Sequence, residues 1–402
     1  MIEGKAEMNK VDPYKADSAK IGHGKGESAK PDLIKQELGK GEPGRAEPKS
    51  EEIMNQVLAM IAPGTELREG LENILRAKTG GLIVVGDTPE VLSLCDGGFN
   101  LQCDFSPSHI YELAKMDGAI VLSEDAKRII YANTQLIPDS SIPSLETGTR
   151  HRTAERTAKQ TGKLVIAISQ RRNVITIYKG NLRYTLKEIS VILAKANQAL
   201  QTLEKYKAVL DQTLSNLSAL EFEELVTLQE VAIVLQRIEL VLRIKGEILR
   251  YIRELGVEGR LIQMQLEELV ANVDEEAIML IRDYIRETDQ RKPEEILMAM
   301  KQLTSEEILD RLNILRVLGY SGNNTILDEP IQARGYRLLH RIPRLPMAII
   351  QNLIVHFQSL TRIVSASIEE LDEVEGIGEI RARAIKEGFK RIQQQVFLER
   401  HL

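Results

Sequence analysis

Residues 117–131 contain two short apolar runs, Asp117-Gly-Ala-Ile-Val-Leu122 and Arg128-Ile-Ile-Tyr131, joined through Ser123-Glu-Asp125. Runs this short, bounded by turn residues, read as buried strands. The same pattern recurs on both sides. Gly81-Leu-Ile-Val-Val-Gly86 lies upstream; Lys163-Leu-Val-Ile-Ala-Ile168 and Val174-Ile-Thr-Ile-Tyr178 lie downstream, separated by Ser169-Gln-Arg-Arg-Asn173. Helical stretches alternate with them. Ile53, Val57, Leu58 and Ile61 form a stripe that stops at Pro63-Gly64. Thr65 stands at the cap position before Leu67, Leu71, Ile74 and Leu75. Segments 108–116 and 153–160 also read as helix. Strands and helices intermixed in this way indicate an α/β domain.

Beyond about Ser190 the pattern is almost wholly helical as far as Asp328, with breaks at Gly256, at 288–293 and at 319–324. A helical bundle or spine is expected there, with faces left for other subunits. From about 331 two helix–turn–helix units follow, turning at Ile342-Pro-Arg-Leu-Pro346 and Val374-Glu-Gly-Ile-Gly378. The first fifty residues differ from all of this. A basic residue falls at every fifth position from Lys5 to Arg45, with acids in a second lane. A period of five suits neither helix nor strand, and the stretch buries little, so disorder is expected.

With 402 residues the chain is too long for one ordinary core. Its 43% hydrophobic and 28% charged residues are those of a globular protein. A net charge of -6 argues against wholesale coating of nucleic acid but leaves room for a local basic surface. Cys95 and Cys103 have no Cys or His at zinc-ligand spacing and read as plain thiols of a reducing compartment. No apolar run approaches the roughly 20 residues that span a bilayer, and the N-terminus lacks a signal-peptide core. No membrane association and a cytoplasmic location are the expectation.

Two motifs carry chemistry. Asp117 can hold Mg²⁺ or Mn²⁺ or accept a hydroxyl proton. Gly118 and Ala119 would let a ligand approach the main chain. Alone, the tripeptide reads more readily as a turn before a strand. About thirty residues on stands Gly148-Thr149-Arg150-His151-Arg152-Thr153. Arginines suit phosphate oxygens, the hydroxyls add donors, and a helix start favours an anion. Alone, this is also a solvated charge run. No Walker pattern and no G-x-G-x-x-G accompanies them, which argues against P-loop and Rossmann enzymes.

The pair, in this order, resembles the signature of the diadenylate cyclases. The likeness extends through the helical middle to the tail and is similar to the soluble, DNA-linked branch of that family. It implies an α/β cyclase domain with a mixed central sheet at 51–190, a helical linker domain at 191–330 and a helix-hairpin-helix domain at 331–402, with 1–50 as a disordered extension. It implies condensation of two ATP into cyclic di-AMP and two pyrophosphates, with paired sites and a homo-octamer. It also implies roles: Asp117 on the metal and the attacking hydroxyl; Gly118 and Ala119 shaping the pocket; Leu136 on adenine; Thr149, Arg150, His151, Arg152 and Thr153 on phosphates, with Ser169 beside them.

In the tail, Gly376-Ile377-Gly378 between two apolar helices resembles the turn by which helix-hairpin-helix modules place backbone N–H groups on a DNA phosphate. Arg381, Arg383, Lys386 and Lys390 would add contacts. The tail holds eleven Lys/Arg against eight Asp/Glu. The other turn lacks N–H groups at Pro343 and Pro346, which weakens it as a phosphate clamp. The family resemblance implies branched DNA, with DNA lowering cyclase output. A protein–protein helical module is the alternative reading of the tail. A catalytically silent DNA-binding scaffold is the alternative for the whole chain.

Overall fold

The computed structural model describes residues 48–400. The expected disordered arm therefore lies outside the described residues, apart from 48–50, which open the first helix.

The α/β part runs α1 (Pro48–Met60), α2 (Glu66–Ala77), β1 (Gly81–Val85), α3 (Pro89–Leu92), β2 (Cys95–Asp96), β3 (Phe99–Asp104), α4 (Pro107–Leu113), β4 (Ala119–Leu122), β5 (Arg128–Leu136), α5 (Thr149–Thr161), β6 (Leu164–Ser169), β7 (Val174–Lys179) and β8 (Leu182–Thr185). Thr65 caps α2 as expected, its hydroxyl accepting the Arg68 N–H at 3.2 Å. The strands form one mixed sheet, ordered β2-β5-β4-β1-β6-β7-β8, with β3 also on β5. β1 and β4 are parallel, in register at Ile83 and Ile120; the other pairings are antiparallel.

Both faces of the central strands are buried, which is why they read as unbroken apolar runs rather than alternations. Ile83, Val85, Ile166 and Ile168 join the core with Leu71 and Ile74 of α2 and Ile110 of α4. Leu82, Val84, Val165 and Ala167 join Ala154 and Ala158 of α5 on the opposite face. The result is a helix–sheet–helix sandwich.

Several features differ from the sequence expectation, three of which bear on the site. β5 continues past Tyr131 to Leu136. β3 was unforeseen because it is largely exposed and has no alternation to read. α5 begins at Thr149 rather than Thr153, so the arginine motif forms the first turn of the helix itself.

The helical part holds α6 (Ile189–Glu223), α7 (Leu228–Leu255), α8 (Arg260–Val270), α9 (Val273–Tyr284), α10 (Pro293–Gln302) and α11 (Arg311–Val317). At 35 residues, α6 is about 52 Å long at 1.5 Å per residue. It leads away from β8 and reaches the tail.

The tail comprises α12 (Tyr336–His340), α13 (Met347–Phe357), α14 (Leu360–Ser365), α15 (Ile368–Asp372) and α16 (Glu379–Arg400). The α12–α13 and α15–α16 turns match residue for residue. Ile342 and Val374 are buried, Arg344 (φ 62°) and Gly376 (φ 85°) are left-handed, and Leu345 and Ile377 point back into the core. The two pairs pack together, with Asn352 Nδ2 donating to the Glu375 carbonyl at 2.9 Å.

A buried polar joint ties the tail to the helical part. Asp283, at the end of α9, accepts the N–H groups of Gly335, Tyr336 and Arg337 at 2.7, 2.6 and 2.9 Å, capping α12. The Arg337 guanidinium pairs with Glu221 of α6 and donates to Ser218 at 3.0 Å. The Tyr284 hydroxyl donates to the other Glu221 oxygen at 2.6 Å.

Candidate functional site

Sheet register brings the two sequence motifs to one edge. Asp117 and Gly118 immediately precede β4, and the parallel β1 starts on the same side. β6 ends there, since Gly81 faces Ile168. β5 also ends there, since Ala119 faces Thr134. Arg150, in the first turn of α5, points its guanidinium at the Ile168 carbonyl, with Nη1 3.5 Å away. Gly80 makes room for it: at φ +75° it adopts a left-handed conformation, and a Cβ there would lie 2.4 Å from Arg150 Nη1. From the start of β4 to the end of β6 is two strand spacings, or about 10 Å, a span suited to a nucleotide triphosphate.

Asp117 is exposed. Among the described residues, no group of three or more His, Cys, Asp or Glu side chains gathers as a metal cluster. A single exposed carboxylate would fit a Mg²⁺ or Mn²⁺ ion that took its remaining ligands from phosphates and water.

The structure adds a structural role for several of these residues. Gly118 is at φ +101°, and a Cβ there would lie 2.8 Å from the Asn133 carbonyl carbon and 2.9 Å from the Thr134 oxygen. The backbone of β5 by itself requires glycine here. Ala119 is 1% exposed and belongs to the core. Leu136 is likewise buried, opposite Cys95. The Ser169 hydroxyl accepts the Arg172 N–H at 3.2 Å and so closes the turn after β6.

The clearest difference in placement is at His151. Only 9% exposed, it turns inward and meets the Tyr178 ring edge-on at 6.4 Å. Burial pushes its pKa below the usual imidazole value. The Glu146 charge works against that, while Arg172, Arg150 and Arg183 add to it. Its Nε2 is buried without a hydrogen-bond partner. Thr149 and Arg152 are exposed, Thr153 is half-buried, and Arg152 Nε reaches the Glu146 carbonyl at 3.4 Å.

Comparisons with known proteins identify the family. A family model described as the DisA bacterial checkpoint controller nucleotide-binding region matches residues 68–182. One described as the DisA bacterial checkpoint controller linker region matches residues 186–327. The chain is 61% identical over 347 residues to the DNA integrity scanning protein DisA of Carboxydothermus hydrogenoformans, covering 86% of this chain and 98% of that one. This chain belongs to the DisA family. DisA proteins of Symbiobacterium thermophilum (59% over 347 residues, 86% and 98% covered) and Acetivibrio thermocellus (58% over 351 residues, 87% and 97% covered) are similarly close.

In this DisA-family chain the nucleotide-binding region contains a cluster that sequence reading did not find. Glu146 Oε1 accepts from the Tyr178 hydroxyl at 2.8 Å and from Arg183 Nε at 2.6 Å. These partners lie 32 and 37 positions away, so no local pattern announces them. The segment before α5 is also strapped along the helix. Arg156 Nε holds the Ile142 carbonyl at 2.8 Å, Lys159 Nζ holds that of Pro143 at 2.9 Å, and Glu155 accepts from Ser144 and the Leu145 N–H. Among the described residues no helix is long and apolar enough to cross a membrane.

The tail residues also sort differently from the expectation. Ile377 is buried and its N–H closes the turn onto the Val374 carbonyl at 3.0 Å, so the turn leaves unused the N–H groups of Gly376 and Gly378. Lys386 is not a free cation. Its Nζ donates to the Val364 and Ala366 carbonyls, both at 2.7 Å, at the end of α14. Arg381 reaches back to the Gly376 carbonyl, Arg383 pairs with Glu379, and Lys390 is exposed.

Proposed function

We propose that this chain is a diadenylate cyclase that condenses two ATP into cyclic di-AMP and two pyrophosphates, with an output tuned by DNA held at its tail. The convergence of Asp117 with the arginine-bearing first turn of α5 on one edge of the sheet carries the reading. Phosphoryl transfer depends chiefly on positioning and on neutralising charge, and these residue types supply both. In this reading Arg150 and Arg152 bind phosphate oxygens, aided by Thr149, Thr153 and the free N–H groups of the first turn of α5. Asp117 would hold Mg²⁺ or Mn²⁺ together with the nucleotide phosphates; when bound, the ion neutralises charge on the phosphates and makes the 3′-hydroxyl easier to deprotonate. Asp117 orients that hydroxyl. His151, buried and biased to its neutral form, packs the first turn against Tyr178 instead of binding phosphate.

One domain carries one such set of groups, so cyclisation requires two copies face to face. Assembly as a homo-octamer follows from the family resemblance, as do the division at 51–190, 191–330 and 331–402 and a cytoplasmic location. The two matching turns of the tail are proposed as a helix-hairpin-helix pair reading DNA backbone shape, with branched DNA preferred.

The test is incubation of the purified chain with ATP and Mg²⁺ or Mn²⁺, followed by nucleotide chromatography with and without linear or branched DNA. Cyclic di-AMP from the wild type and none from Asp117→Asn, with folding and oligomeric state unchanged, supports the reading. A wild type that binds DNA and makes no cyclic di-AMP would establish the silent scaffold instead.

A further inference from the structure

Glu146 is a puzzle for a phosphate site. A carboxylate three residues before the helix start repels the anion that α5 is proposed to bind. Its surroundings show what its charge does. The side chain is 8% exposed, and one oxygen gathers donors from two different strands, Tyr178 of β7 and Arg183 of β8. Burial alone would raise its pKa; the bonds from Arg183 and Tyr178 outweigh that and hold it below the usual carboxylate range. The charge is therefore satisfied inside the fold. Its backbone is engaged as well: the N–H donates to Ser144 Oγ at 3.2 Å, and the carbonyl accepts from Arg152 Nε. Gly148, which caps α5, makes no side-chain capping bond, so no side chain at the cap position fixes the start of the helix.

We propose that Glu146 is a positioning residue: its carboxylate, clamped by Tyr178 and Arg183, fixes the start of α5 on the sheet so that Arg150 and Arg152 are preset for the triphosphate. The assignment rests on the cyclase reading for its activity arm. The conformational arm stands apart from that reading. A buried charge-assisted bond to two strands restricts the chain far more than a solvated glycine cap does. Displacement of reacting groups by about 1 Å costs on the order of 100-fold in rate.

The experiment compares Glu146→Ala and Glu146→Gln in the full-length protein. Glutamine keeps an acceptor for both donors; alanine keeps none. With Glu146→Ala, kcat for cyclic di-AMP should fall about 100-fold, while affinity for a non-hydrolysable ATP analogue changes less than about threefold and the melting transition remains cooperative. Glu146→Gln should recover most of the loss. Amide hydrogen exchange over residues 147–152 should rise in the alanine variant and return in the glutamine variant. A folded Glu146→Ala protein with wild-type turnover and wild-type exchange would overturn the proposal, as would a glutamine variant no better than alanine in both. Should alanine fail to fold, Arg183→Met, at a half-exposed side chain, removes one strand's donor and is held to the same outcomes as Glu146→Ala. If the wild type makes no cyclic di-AMP the cyclase reading falls, and the exchange arm alone then decides the role of Glu146.

Discussion

Replacing Arg337 by Met gives the sharpest quantitative test of what joins the tail to the helical part. The Arg337 side chain is 1% exposed, pairs with Glu221, donates to Ser218 at 3.0 Å and lies 3.4 Å from Glu276. Met fills much the same volume as the arginine stem but leaves Glu221 buried with only Tyr284 as a donor, close to the buried Asp283. Removing one partner of a buried pair costs about 3–5 kcal/mol, because the remaining charge is uncompensated. A unit of roughly 150–250 residues shifts by about 2–4 °C per kcal/mol, so the melting temperature should fall by about 6–20 °C. Adding Glu221→Gln removes the orphaned charge while keeping an acceptor for Tyr284. The double variant should recover at least half of the loss, a coupling that a double-mutant cycle isolates. Thermal melts followed by circular dichroism at 222 nm supply both numbers. A single variant within 2 °C of wild type, or a double variant that merely adds the two losses, would refute the claim that this joint depends on charge pairing.

Further outcomes are expected at five positions. Asp117→Asn should abolish cyclic di-AMP formation while leaving the melting temperature unchanged, because Asp117 is exposed and outside the core. Gly118→Ala should destabilise the α/β part by about 1–3 kcal/mol from backbone strain alone, with its clash against β5 added; urea unfolding reads this, and an unchanged midpoint would contradict the geometry. His151 has a folded pKa below its unfolded value, so the stability it contributes is complete above about pH 6.5 and is lost as pH falls through the lowered value; His151→Gln should remove that part of the acid sensitivity in melts across pH 5–7. In DNA binding, Lys390→Ala should reduce the slope of log affinity against log salt by about 1. Lys386→Ala should leave the slope alone and lower the stability of the tail, since its ammonium holds α14; a changed slope for Lys386→Ala would restore it to the DNA surface.

The legible parts of the chain were those whose signal is local. The runs at 81–86, 119–122, 163–168 and 174–178 read as strands because both sheet faces are covered and every residue must be apolar. Thr65 read as a cap because its hydroxyl acts three residues on. The start of α5 did not read, because Thr149-Arg-His-Arg152 is polar and has no apolar period, and its cap is a glycine. β3 failed for a related reason: an exposed edge strand needs no hydrophobic alternation.

The sequence by itself determined which chemical groups this chain possesses and roughly which elements carry them: an acid before one strand, arginines at one helix start, two matching turns in a basic tail. Only the tertiary structure decided where those groups face. It turned His151 inward to Tyr178, set Gly118 against the backbone of β5, tied Lys386 to α14 and joined Glu146 to partners more than thirty positions away. The physical reason is one of range. Periodicity and capping act over three or four residues and are written along the chain. Burial and hydrogen-bond satisfaction are settled between elements, by a sheet register and a helix packing that no short stretch of sequence contains.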